Sequence, residues 1–132
     1  MKKLNIIIII VSDTRTTATD KSGKALKSLI TDAGHKVLKK HIIPDDIYEI
    51  RFIVSKYIAD KSADVIITSG GTGITGRDGT PEAVSILLDK KIEGFGEMFR
   101  AISYEQIKTS SLQTRALAGD SDSFLTILNK LC

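Results

Sequence analysis

The chain has 132 residues, 42% apolar and 27% charged, and a formal net charge of +3 from 19 basic and 16 acidic side chains. That is one domain, 1–132, with room for a hydrophobic core, and its scattered lysine pairs (Lys2-Lys3, Lys39-Lys40, Lys90-Lys91) lack the aromatic interleaving of a nucleic-acid footprint. There is no Trp to build a base-stacking platform, and the lone cysteine, Cys132, permits neither an intrachain disulfide nor a cysteine metal cluster, which suits a reducing, cytoplasmic setting.

The first predicted element is a strand from Leu4 to Val11 that contains five consecutive isoleucines. A β-branched run of this kind reads as a central strand covered on both faces. It is too short to span a bilayer, and Ser12-Asp13-Thr14-Arg15 follow it in place of small cleavage-site residues, so no membrane segment or signal peptide is expected. A polar loop over 12–21 leads to a helix with Leu26, Leu29, Ile30 and Ala33 at helical spacing and Gly34 as its C-terminal cap. Val37 to Ile43 reads as a second strand, stopped by Pro44. Asp46 and Glu49 then resemble a capping box ahead of the apolar stripe Ile47, Ile50, Val54, Tyr57 and Ile58. Val65–Thr68 is the third predicted strand. Thr80 is expected to cap a further helix, with Pro81 as its first residue and Ala83, Ile86 and Leu87 facing inward. Another helix is expected from Phe95 to Ile107. Strands that alternate with helices imply an α/β fold, a three-layer α/β/α sandwich around a mostly parallel sheet with right-handed crossovers.

Residues 64–82 carry the most chemical information: Asp-Val-Ile-Ile-Thr-Ser-Gly-Gly-Thr-Gly-Ile-Thr-Gly-Arg-Asp-Gly-Thr-Pro-Glu. A buried strand runs straight into Ser69-Gly70-Gly71-Thr72-Gly73. Glycines there let the backbone approach an anion closely with N–H groups pointing at it, and the carboxyl end of a strand is where open α/β sheets bind ligands. Two familiar motifs nearly fit. Gly71-Thr72-Gly73-Ile74-Thr75-Gly76 matches the dinucleotide fingerprint literally, but that motif should open a helix at once, and Arg77, Asp78, Gly79 and Pro81 delay it. The phosphate-loop pattern needs Gly-Lys-Ser/Thr where this chain has Gly76-Arg77-Asp78. What remains is a glycine-rich turn, either without a ligand or suited to a phosphate-bearing small molecule, and the acid that follows, Asp78, favours the second, since it would repel a phosphate unless a cation bridged the two. The only histidines, His35 and His41, have no third ligand for zinc, and Ser69 has no histidine base placed beside it by sequence.

The predicted order gathers Ser12–Ser22, Pro44-Asp45-Asp46 and Ser69–Asp78 at one sheet edge. The residues in these segments give the chain a family likeness. Val11-Ser12-Asp13, Asp20-Lys21-Ser22-Gly23, Pro44-Asp45, Thr68-Ser69-Gly70-Gly71-Thr72-Gly73, Arg77-Asp78-Gly79-Thr80-Pro81-Glu82-Ala83 and Glu93-Gly94-Phe95-Gly96-Glu97-Met98-Phe99-Arg100 resemble the MoaB/MogA family of molybdopterin-binding proteins. The likeness runs from about residue 4 to Gly119, and Gly94–Arg100 and Thr109–Ala116 look closer to the MoaB branch. It implies a MogA-like sandwich and, as ligand, a pterin dithiolene carrying a terminal phosphate. It also implies transfer of AMP from Mg-ATP to that phosphate, with ATP and Mg2+ as co-substrate. On the matching positions, Asp45 and Asp78 would be catalytic and would hold magnesium. Ser12, Asp13, Ser22, Gly23, Ser69, Gly70, Gly71, Thr72, Gly73, Thr80, Pro81 and Glu82 would bind molybdopterin and nucleotide. From the residues alone Asp45 reads equally well as a helix cap beside Asp46. The alternative the likeness leaves open is a non-catalytic molybdopterin carrier or an inactive paralogue. A homo-oligomer, trimer or hexamer, is also implied, and Phe95, Met98, Phe99 and Ile102 at helical spacing would suit a subunit contact.

The likeness stops at the tail. After Gly119 the family continues with an apolar strand, a Pro-Gly loop and a last helix, whereas here residues 120–132 contain no proline and read as a truncated or frame-shifted end. Phe124, Ile127, Leu128 and Leu131 have helical spacing, which favours a short helix over a replacement strand.

Overall fold

The computed structural model describes residues 2–121 and, by backbone course, 124–129. Six strands form one sheet in the order β2-β1-β3-β6-β5-β4. The isoleucine strand β1 (Asn5–Val11) lies between β2 (Lys36–Ile43) and β3 (Val65–Ser69), parallel to both. Beyond β3, β6 (Phe124–Asn129) is again parallel; β5 (Leu117–Ser121) runs antiparallel to β6 and to the two-residue β4 (Lys90–Lys91). The helices are α1 (Lys21–Asp32), α2 (Ile47–Asp60), α3 (Thr80–Ser85) and α4 (Glu93–Ile107), with a 3-10 turn at Lys108–Gln113.

Side chains alternate across a strand, so β1 divides its residues between two cores. Ile7, Ile9 and Val11 pack with Ile50, Ile53, Val54 and Tyr57 of α2 and Ala83 and Val84 of α3. Ile6, Ile8 and Ile10 pack on the opposite face with Leu26 and Ile30 of α1. Each fully buried isoleucine contributes about 1.5–3 kcal/mol of transfer free energy. This is the expected sandwich, with its centre on the expected strand. Local punctuation holds as well. The Asp46 carboxylate accepts the Tyr48 and Glu49 amides at the start of α2. Gly34, at φ +89, follows the end of α1, a conformation glycine adopts without strain.

Three expectations fail, each for a reason of packing. Thr80 does not cap α3. Gly79 occupies the N-cap, Thr80 and Pro81 are the first and second helical residues, and the Thr80 hydroxyl donates instead to the Gly70 carbonyl at 3.0 Å. Ile86 does not face inward but is 67% exposed, because α3 ends at Ser85 and its period no longer places the next residue. Residues 124–129 are a strand rather than a helix. Pairing Val65↔Leu125 through Ser69↔Asn129 covers the edge of β3, and the hydrogen bonds of that ladder outweigh a spacing that fits either element. Leu131, the last residue of the supposed helical stripe, lies outside the described residues. Among those residues no helix is long and apolar enough to cross a membrane.

Candidate functional site

The parallel strands β1, β2 and β3 end level with one another, Val11 paired with Ile43 and Ile10 with Ser69. Their three following loops therefore leave the same edge, and polar bonds knit them together. The Asp45 amide donates to Asp13 Oδ1 at 3.0 Å. Arg77 reaches from the third loop to grip the Asp13 carboxylate through Nη2 at 2.7 Å and Nε at 3.2 Å. The Gly79 amide donates to Asp45 Oδ1 at 3.1 Å. Ser12 Oγ accepts the Thr14 and Arg15 amides and fixes the first loop locally.

The glycine turn is shaped by space as well as conformation. Gly70 and Gly71 have φ of +103 and +65, and a Cβ would lie 2.2 Å from the Val11 carbonyl oxygen at the first and 2.2 Å from Thr80 Oγ1 at the second. At Gly71 that Cβ would also stand 3.0 Å from Asp45 Oδ2, so this glycine makes room for the protein's own acid as much as for a ligand. Thr72 is buried, and its Oγ1 has no hydrogen-bond partner among the described residues. An orphaned buried hydroxyl costs roughly 1–3 kcal/mol unless something else meets it. The amides of Thr72, Gly73 and Ile74 likewise donate to none of the described residues.

Two hollows flank this loop and share Ile47, Gly76 and Gly79. One, of about 290 Å³, is lined by Ile74, Thr75, Asp78, Glu82 and Arg115; the other, of about 220 Å³, by Asp45, Asp46, Tyr48 and Arg77.

The acids differ in their surroundings. Burial raises the Asp45 carboxyl above the ordinary carboxylate range; the Gly79 amide opposes this, and the charges of Asp78 and Asp13 reinforce it. Hydrogen bonds from Arg77 and from the Asp45 amide hold Asp13 below that range. Asp78 Oδ2 accepts both the amide (2.9 Å) and the hydroxyl (2.6 Å) of Thr75, which closes a turn. Asp45 does not cap a helix. That role belongs to Asp46 alone, which leaves the Asp45 carboxylate in the crevice, where it feels the negative charge of Asp78. Two hard carboxylates that raise each other's free energy fit a cation with affinity for oxygen, such as magnesium, which is held by one or two carboxylates with phosphates and water completing its shell. No cluster of three or more His, Cys, Asp or Glu side chains among the described residues could hold a metal by itself.

Of the residues picked from the sequence, Asp13, Asp45, Gly70, Gly71, Thr72, Gly73, Asp78 and Thr80 come together at this edge, with Ser12 and Ser69 at the strand ends. Pro81 is buried in the first turn of α3, and Glu82 faces Arg115 in an ion pair that holds its carboxyl below the usual range. Ser22 and Gly23 belong to a separate cluster at the start of α1. There Asp20, fully buried, accepts the Gly23 amide at 2.9 Å and pairs with Lys40 at 2.8 Å. A Cβ on Gly23 would fall 2.0 Å from the Asp20 carboxylate, so this glycine leaves room for the cap. Sequence reasoning passed over Arg77 and Arg115 as site residues. Arg115 donates through Nε to the Gly73 carbonyl at 2.8 Å and through Nη2 to the Asp78 carbonyl at 2.6 Å, while its own amide meets the Thr72 carbonyl at 2.9 Å. No local signal marks an arginine whose side-chain partners lie 33 to 42 positions away.

A mostly parallel α/β sheet with a glycine-rich turn, amides unpartnered among the described residues and paired acids at its carboxyl edge is the architecture of a domain that binds an anionic small molecule. The sequence model of one such family, described as a probable molybdopterin binding domain, matches residues 7–131. The chain belongs to that family. It is 50% identical over 119 residues to molybdenum cofactor biosynthesis protein B of Bacillus cereus, covering 89% of this chain and 70% of that protein. To the protein of the same name from Escherichia coli K12 it is 46% identical over 114 residues, covering 86% and 67%. A crystal structure of molybdenum cofactor biosynthesis protein B superposes with a TM-score of 0.92 at 45% identity, covering 98% of this chain and 81% of that one.

Proposed function

We propose that this chain acts in molybdenum cofactor biosynthesis, binding molybdopterin and transferring AMP from Mg-ATP to its terminal phosphate. The observation that carries the reading is the juxtaposition at one edge of unpartnered Thr72, Gly73 and Ile74 amides, the orphaned Thr72 hydroxyl, and the acids Asp45 and Asp78. Amides and hydroxyl suit a phosphate; the acids suit the cation that arrives with ATP.

The chemistry asks little covalent help from the protein. A phosphate monoester has a second pKa near 6 and is mostly dianionic at pH 7, so its oxygen can attack the α-phosphorus of ATP without a general base. A new oxygen–phosphorus bond forms, the bond from the α-phosphorus to the bridging oxygen breaks, and pyrophosphate leaves with that electron pair. Positioning and charge neutralisation carry the rate. The loop amides hold the attacking phosphate. Asp78, locked by Thr75, and Asp45, held by Gly79, would hold magnesium, which would supply charge neutralisation at the leaving group. Arg77 keeps the first and third loops in register through Asp13. The protein is incubated with ATP, magnesium and molybdopterin and assayed for pyrophosphate and the adenylylated pterin. Tight molybdopterin binding without either product would replace this reading with that of a carrier, which the structural employment of Asp78 in its turn favours.

We also propose a trimer-based assembly. Met98 and Ile102, one turn apart on α4, are 64% and 61% exposed, an apolar cost a subunit contact would remove. A monomeric mass by light scattering at micromolar concentration would remove this idea.

A further inference from the structure

Arg115 stands between the 3-10 turn and β5, outside every loop of the crevice, yet it is bonded to three carbonyls of the 72–78 segment and to Glu82. Its backbone amide takes Thr72 (2.9 Å), Nε takes Gly73 (2.8 Å), Nη2 takes Asp78 (2.6 Å), and Nη1 pairs with Glu82 Oε1. The consequence follows from the planar trans peptide, in which the C=O of one residue and the N–H of the next point in opposite directions. Drawing the Thr72 carbonyl toward Arg115 turns the Gly73 amide away from it, and drawing the Gly73 carbonyl turns the Ile74 amide away. Those two amides have no partner among the described residues. Drawing the Asp78 carbonyl turns the Gly79 amide away too, and that amide is the one that donates to Asp45 Oδ1 at 3.1 Å.

We infer that Arg115 is a positioning residue: by anchoring three carbonyls it aims the Gly73 and Ile74 amides at the ligand's anionic group and the Gly79 amide at Asp45. Resting on the molybdopterin reading, this extends it to a residue that lines the hollow beside Asp78 and meets that acid only through its main-chain carbonyl. Only a planar guanidinium serves, because its fork presents diverging donors at fixed angles, whereas a lysine ammonium is a point charge on a flexible stem. The half-buried setting and the Glu82 partner neutralise its charge, so its effect is exerted through direction rather than through long-range attraction.

The test compares parent, Arg115→Lys and Arg115→Ala by amide nuclear magnetic resonance in the ligand-free state and by calorimetric titration with molybdopterin. In Arg115→Lys the Ile74 and Gly79 amide resonances should move while those of β1 and β2 stay, since the Thr72 carbonyl is held by the main-chain amide of residue 115 in either case. Molybdopterin affinity should fall at least tenfold. In Arg115→Ala, methylguanidinium should restore several-fold of the lost affinity and leave the parent unaffected, a rescue that a general loss of stability would not permit. A folded Arg115→Lys with parental affinity, or with the Ile74 and Gly79 amides unmoved, overturns the inference. If both variants fail to fold, the parent decides. A protected Arg115 Nε–H with a coupling across the hydrogen bond to the Gly73 carbonyl sustains the inference, and a freely exchanging Nε–H sinks it. A parent that does not bind molybdopterin, beside variants whose Ile74 and Gly79 amides do move, defeats the functional reading and leaves the positioning role standing.

Discussion

The two ends of the sheet solve the same problem differently. At the amino end of the strands the connections are tight and their polar groups are satisfied on the spot. The Asn5 amide meets Asp64 Oδ2 at 2.8 Å, the Asp64 amide meets the Asn5 carbonyl at 2.8 Å, and the Leu4 amide meets His35 Nδ1 at 3.2 Å. At the carboxyl end two of the three loops are long, those after β1 and β3; a carboxylate is buried against its electrostatic interest, and a buried hydroxyl has no partner among the described residues. One end is built for stability; the other gives up stability for a ligand. Substitutions at the two ends should therefore register in different measurements.

The largest effect is expected at Asp78. Asp78→Asn keeps the shape and an acceptor for Thr75 but removes the charge. Adenylyl transfer should fall by roughly 10²–10³ (about 2.7–4 kcal/mol of transition-state stabilisation), while molybdopterin affinity stays within a few-fold. Equal rates for the variant and the parent at saturating magnesium would break the comparison at its functional end.

Asp45→Asn comes next and separates activity from stability. Its carboxyl is raised in the folded chain, so the folded state holds the proton more tightly than the unfolded one. The stability associated with that proton is complete below the unfolded value and is lost as pH rises through the folded one. At neutral pH the ionised group is thus a net cost. The asparagine variant keeps an acceptor for the Gly79 amide and should melt no lower than the parent at pH 7. It should also show a flatter melting profile between pH 4 and pH 7 and transfer AMP about tenfold or more slowly. A lower melting temperature at pH 7 with unchanged activity would make Asp45 structural.

At the amino end the prediction reverses. Asp64→Ala removes the partner of the Asn5 amide and should cost about 1 kcal/mol by denaturant titration, with the transfer rate unchanged. His35→Ala, which loses one longer bond to Leu4 at the frayed start of β1, should cost less, about 0.5 kcal/mol. Impaired catalysis in either folded variant would show that the two ends are coupled.

How much of this was legible in the chain depends on how far apart the partners lie. The isoleucine strand, the Asp46–Glu49 start of α2 and the Gly34 stop of α1 rest on signals within a few residues, and each was readable. The glycine turn was readable as a place of close backbone approach, and only the fold reveals what would stand where a Cβ fell: the Val11 carbonyl at Gly70, Thr80 and Asp45 at Gly71. Asp45 and Asp46 were not separable in sequence; only the fold reveals that one caps α2 and the other receives the Gly79 amide. Thr80 looked like a cap because a threonine before a proline usually is one, but its hydroxyl found Gly70 across the turn. Phe124, Ile127 and Leu128 fit a helix and a strand alike, and the open edge of β3 decided between them. Arg115 was invisible because what defines it is the set of carbonyls it meets, and these come from another part of the chain.

The bridge from Arg77 to Asp13 joins residues 64 positions apart, across α1, β2, α2 and β3. Such a contact can close only after the loops between its ends have been drawn in by parallel pairing, a slow and entropically costly step. The crevice should accordingly be absent from the folding transition state. Substitutions at Arg77 or Asp13 would then leave the refolding rate nearly untouched and act almost wholly by hastening unfolding. The protein could vary these crevice residues without altering how quickly a newly made chain reaches its native sheet.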